Sequence, residues 1–96
     1  MDKPAFLITL DTEGDNLWRN RSGKVTTRNV QFLPRFQALC EKYGFKPTWL
    51  TNYEMASDPA YVEFGRDLLA RGQGEIGMHL HAWYSPPEYA LTDDDW

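Results

Sequence analysis

Apolar residues fall along this chain in short runs and helical stripes that alternate with one another. Ala5 to Asp11 (AFLITLD) is a short, partly β-branched apolar run followed by turn-forming residues, which predicts a buried strand. Phe32, Leu33, Phe36, Leu39, Cys40 and Tyr43 then recur at helical spacing and predict a helix with one apolar stripe. Gly44 stands where its C-terminal cap belongs and Pro47 follows. Pro34 belongs in the first turn, because deeper in the helix it would remove a backbone bond. Thr48 to Asn52 (TWLTN) predicts a second strand. Asp58 as N-cap and Pro59 at the first helical position open a second helix. Its face is Tyr61, Phe64 and Leu68 with Leu69, and Gly72 ends it. Glu75 to Leu80 (EIGMHL) predicts a third strand. Asp15 to Arg28, with Asn16, Asn20, Ser22 and Gly23, reads as a long irregular loop, and such loops are usually functional or mobile. After Pro86 and Pro87 the tail to Trp96 carries no further element, and its Asp93–Asp95 run reads as solvated.

Strands alternating with helices predict an α/β fold, a βαβαβ unit with a parallel sheet and right-handed crossovers. Parallel sheets are normally covered on both faces or closed into a barrel, whereas three strands and two helices leave a sheet face and an edge open. The expectation is therefore that residues 1–96 form the N-terminal part of one larger domain.

Side-chain alternation sorts the polar groups. On the first strand Phe6, Ile8 and Leu10 share one face, while Leu7, Thr9, Asp11 and Glu13 share the other. On the third, Ile76, Met78 and Leu80 oppose Gly77, His79 and His81. Apolar rows can pack against helices and leave the mixed rows a common interior. Asp11, Glu13, His79 and His81 also lie at carboxyl ends of strands, where parallel α/β folds collect ligands and catalysts. Two acids and two imidazoles suit a divalent cation, Zn²⁺ first, with Co²⁺ or Mn²⁺ as substitutes. Alone, an H-x-H pair also serves as a hydrogen-bonding pair, and an acid just past a strand is often a turn or cap residue. Their joint placement at matched strand ends favours the metal.

Composition narrows the picture. Apolar residues at 42% and charged residues at 25% argue for a folded chain rather than a disordered one. The net charge of −4, with ten Lys and Arg scattered and no basic stripe, gives nucleic acid no electrostatic footing. Cys40 is the single cysteine, so no internal disulfide forms; it lies on the apolar stripe and reads as core. After Met1-Asp2-Lys3-Pro4 the apolar stretch before Asp11 is too short for a secretory signal and far too short to span a membrane. The cytoplasm is the expected location. No Gly-rich phosphate loop opens a helix. Trp18, Trp83 and Tyr84 fall in loop segments, where an exposed ring has more to explain than a core one.

The run LITLDTEGD, followed after two βα units by GEIGMHLHAW, resembles the polysaccharide deacetylases of the NodB-homology type. The resemblance spans nearly all of this chain, including QFLPRFQALCEKYGF and KPTWLTNYEMA, and covers the first part of that family's distorted (β/α) barrel. It implies removal of N-acetyl groups from a sugar or polysaccharide, with Asp11 as general base and Glu13, His79 and His81 as metal ligands. It departs from the family pattern twice. Thr12 separates two acids that are usually adjacent, and the second is a Glu. The histidines stand two apart rather than four, with Trp83 at the usual second position, and Asp11 and Glu13 can exchange roles. The family's general acid is a histidine of a later motif; both histidines here are already assigned, so little activity is expected of these 96 residues alone. A non-catalytic carbohydrate- or partner-binding module, or a metal-dependent hydrolase of another amide or ester, also fits the residues.

Overall fold

The computed structural model describes residues 3–19 and 24–95. In chain order the elements are β1 (Thr9–Thr12), α1 (Leu33–Lys42), β2 (Thr48–Thr51), α2 (Tyr53–Ala56), α3 (Pro59–Ala70) and β3 (Glu75–Met78). Short 3₁₀ turns cover Arg28–Phe32 and Asp93–Asp95. The strands form an open parallel sheet in the order β1-β2-β3, so the expected β-α-β-α-β order holds. Met1, Asp2, Asn20, Ser22, Gly23 and Trp96, used above for the terminus, loop and tail, lie outside the described residues.

Helix ends follow the local chemistry. Pro34 sits in the first turn of α1. Asp58 caps α3, its Oδ1 accepting from the amides of Ala60 (2.8 Å) and Tyr61 (3.3 Å). Gly44 and Gly72 take left-handed φ values of 76° and 65° at the ends of α1 and α3. There Phe45 N–H reaches back to the Cys40 carbonyl and Gln73 N–H to that of Leu68, closing the paired-bond cap that this conformation permits.

Register sets the faces. Leu10, Trp49 and Ile76 lie in one row, and Asp11, Leu50 and Gly77 in the next. The first row meets the helices. Trp49 is 1% exposed, its ring edge-on to Phe36 of α1 and Phe64 of α3, and its Nε1 donates to Gln37 Oε1 at 3.0 Å. Ile76 lies against Gly65 of α3. Both long helices thus cover one face, as two crossovers of one hand stepping in one direction require. The row of Asp11 faces the other way, matching the alternation read from the sequence.

All three strands are four residues long, shorter than the sequence pattern suggested, and β2 explains why. Pro47 has no N–H to extend pairing backwards, so the ladder starts where Thr48 N–H meets the Ile8 carbonyl, leaving Phe6 and Leu7 exposed. At its other end β2 turns at once into α2, a single turn too short to leave a periodic signal. The α1 stripe is also corrected. Gln37 and Cys40 are its buried residues, while Phe32, Leu39 and Tyr43 are exposed because three strands do not extend beneath them. Leu69 likewise points outward from α3, and Met78 is 81% exposed on the edge strand. The Asp93–Asp95 turn is exposed, as read.

Thr27, with the Tyr61 and Ala60 amides, holds the Asp58 carboxyl below its ordinary range. A carboxyl lowered by folding contributes stability that is present above its unfolded value and lost as pH falls through the folded one. Asp58→Ala is expected to lower the unfolding free energy by about 1 kcal/mol at neutral pH. The gap should shrink as pH drops below about 4. Melting both proteins across that range checks this, and a constant offset would contradict it.

Candidate metal centre

Two limbs extend beyond the strand ends on the open face. After β1, Asn52 N–H donates to the Thr12 carbonyl (3.0 Å), which keeps the chain extended and returns Glu13 to the face of Asp11. The loop that follows is pinned where it comes back. Asp15 accepts from the amides of Arg28 (2.7 Å) and Asn29 (3.2 Å) and from Thr26 Oγ1 (2.8 Å). Leu17 anchors it by burying its side chain. After β3, His79 N–H donates to the Thr51 carbonyl (2.8 Å), so His79 continues the row of Gly77. His81 opens a turn closed by Tyr84 N–H on its carbonyl (3.0 Å), and only 6% of its surface is exposed.

These limbs bring three donor atoms to one point. Glu13 Oε1 lies 2.9 Å from His79 Nε2 and 2.7 Å from His81 Nε2, and the two nitrogens are 3.1 Å apart. No placement of protons satisfies all three contacts with separate bonds, because a ring nitrogen carrying hydrogen has no in-plane lone pair left to accept with. A divalent cation satisfies all three together, each atom offering one lone pair. Tetrahedral donors around zinc stand about 3.3 Å apart, so the triangle needs to open by only roughly 0.2–0.6 Å. Glu13, His79 and His81 therefore form a group able to hold a metal ion.

Asp11 is adjacent but outside the triangle. Its Oδ1 lies 3.9 Å from the other ring nitrogen of His79, Nδ1, and 62% of its side chain is exposed. Trp18 and Trp83 wall the group. Trp18 meets His81 edge-on at 4.9 Å between centroids and Trp83 at 5.2 Å, and Trp83 lies 4.5 Å from the His81 ring. The Tyr84 hydroxyl is engaged elsewhere, accepting from Val25 N–H at 3.2 Å, so Tyr84 ties the loop down. Cys40 is core, as expected, and burial pushes its thiol up, away from nucleophilic use. Glu54, Asn29, Asn52 and Ser85 brace the limbs and were not singled out from sequence. A Glu three residues past a strand announces no burial until α2 folds back over the sheet end.

Among known proteins, the chain matches no family model, no curated protein and no solved structure. Among the described residues, no helix is long and apolar enough to cross a membrane.

Tyr84→Phe removes the acceptor for Val25 N–H, a loss of about 0.5–1.5 kcal/mol. Amide hydrogen exchange should show Val25 losing protection while the β2 amides keep theirs; unchanged protection at Val25 would contradict the tie.

Proposed function

We propose that the chain forms the metal-binding side of a hydrolytic centre of the polysaccharide-deacetylase type, acting on the N-acetyl group of a sugar or polysaccharide. The observation that carries this is the meeting of Glu13 Oε1, His79 Nε2 and His81 Nε2 on the open sheet face. Two imidazoles and one carboxylate suit Zn²⁺, with Co²⁺ or Mn²⁺ as substitutes, and three protein donors are the usual complement of a catalytic site. The run LDTEGD and the run GMHLHAW, placed at neighbouring limbs, support the family assignment. A sheet face without a helix among the described residues, with both long helices on the other side, also fits a sector of a (β/α) barrel, where helices lie outside and chemistry gathers at the carboxyl ends.

A bound ion of this kind supplies Lewis-acid polarisation of the amide oxygen and lowers the pKa of water towards neutrality. The resemblance gives the base role to Asp11: its exposed carboxylate, at the same strand end and 3.9 Å from His79 Nδ1, would take the proton of the attacking water. Trp18 and Trp83 offer ring faces for the apolar side of a sugar, with Tyr84 extending the wall. Both histidines of the chain are donors in the triangle, so the acid that protonates the leaving amine is not a histidine of these residues.

Zinc titration against a competing chelator tests this. One ion per chain is expected, and Glu13→Ala, His79→Ala and His81→Ala should each weaken it by about 100-fold or more, beyond the loss of an outer partner. Asp11→Asn should retain the ion; a loss equal to that of Glu13→Ala would exchange the two roles. Absence of stoichiometric metal, with sugar affinity indifferent to His79→Ala, would make the chain a binding module instead.

A further inference from the structure

The peptide bond immediately after Glu13 is gripped on both sides. Its carbonyl accepts from Asn29 Nδ2 at 2.7 Å, and its N–H, that of Gly14, donates to Glu54 Oε1 at 2.5 Å. The grip is close: a Cβ on Gly14 would stand 2.9 Å from Glu54 Cγ and 2.2 Å from Val25 Cγ1. Glu54 is buried in α2, and its Oε1 also accepts from Asn52 Nδ2 at 3.1 Å. Asn52, fully buried at the end of β2, in turn accepts on Oδ1 from Ser85 Oγ at 3.3 Å. A chain of bonds therefore runs from the Glu13 limb, through the end of the central strand, to the segment just beyond His81.

Stability alone gives no reason for this arrangement. A buried carboxylate is costly to desolvate, and well-packed apolar residues of similar volume usually hold a fold at least as well. Among the described residues, Glu54 Oε2 and Asn29 Oδ1 have no hydrogen-bond partner, so what each side chain gives the fold is its contact with this one peptide and, for Glu54, with Asn52. What both do share is the one peptide that sets the direction of the Glu13 side chain. Glu13 has three rotatable side-chain bonds, and an error in its backbone direction is carried to the carboxylate. A metal site tolerates about 0.5 Å of such error.

We infer that Glu54 and Asn29 are positioning residues that aim the Glu13 carboxylate at His79 and His81, an assignment resting on the metal centre proposed above. Glu54 fixes the N–H side of the peptide and Asn29 the carbonyl side. Asn52 and Ser85 extend the brace to the limb of His81, so both sides of the triangle are referred to the end of β2.

Co²⁺ is the probe, its affinity read by competition and its site geometry by visible absorption, on the full chain. Glu54→Ala and Asn29→Ala should each weaken Co²⁺ roughly 10- to 100-fold and change the absorption bands. Glu54→Gln keeps an Oε1 acceptor and should restore both affinity and spectrum. Gln37→Ala is the control: it breaks the bonds to Trp49 Nε1 and the Gln73 carbonyl, on the helix face of the sheet, and should lower the melting temperature with the spectrum unchanged. Wild-type affinity and spectrum in folded Glu54→Ala and Asn29→Ala would overturn the inference and leave the metal centre standing. Loss in Gln37→Ala equal to that in Glu54→Ala would reduce Glu54 to a structural role and overturn it too. If wild type binds no Co²⁺, the metal centre falls and the inference with it. Should Glu54→Ala fail to fold, Asn29→Ala, at a half-buried position, decides the matter.

Discussion

Thr51 accepts from the backbone N–H of His79, and Asn52 donates to the carbonyl of Thr12; with these two bonds β2 sets both limbs of the site at one level. The rest of the centre depends on that register. A slip of one residue in either pairing would turn a limb's side chains to the helix face and part the donors. Pro47, with no N–H to pair, and α2, which takes the chain out of the sheet after Asn52, fix where β2 begins and ends. The central strand contributes none of the three donors, yet it decides that they meet.

What meets there joins distant parts of the chain. Glu13 and the two histidines are separated by 66 and 68 residues, so an ion bound to all three closes a loop spanning most of the described fold. Its binding energy would then also be folding energy, because the unfolded chain has no such site. Beyond the strand ends the limbs are held by a set of polar bonds together with the buried side chains of Leu17 and Val25. The apolar contacts of Trp49, Phe36 and Phe64 lie on the opposite face and cannot reach past the strand ends.

The sequence was most informative where one physical rule acts locally. Asp58-Pro59, Gly44 and Gly72 marked helix ends correctly because caps depend on few neighbours. Two-residue alternation placed Asp11, Glu13, His79 and His81 on one face because it needs only an extended backbone. Strand lengths were less legible, since β1 and β3 end where their partner β2 ends. The exposure of Phe32, Leu39 and Tyr43 depends on how far the sheet reaches, which periodicity does not encode. Alternation also could not distinguish Glu13, inside the triangle, from Asp11, beside the far nitrogen of His79. Glu54 and Asn29 were invisible for a similar reason: they are 41 and 16 residues from Glu13, and only the folded loops bring them to its peptide bond.

The central claim is that one carboxylate and two imidazoles share a cation at the end of this sheet. X-ray absorption at the zinc edge of the zinc-loaded chain tests it most directly. A shell of nitrogen and oxygen at about 2.0–2.2 Å, with the outer scattering of two imidazole rings and no sulfur, is the expected result. A spectrum without imidazole scattering, or one with a sulfur ligand from Cys40, would contradict it.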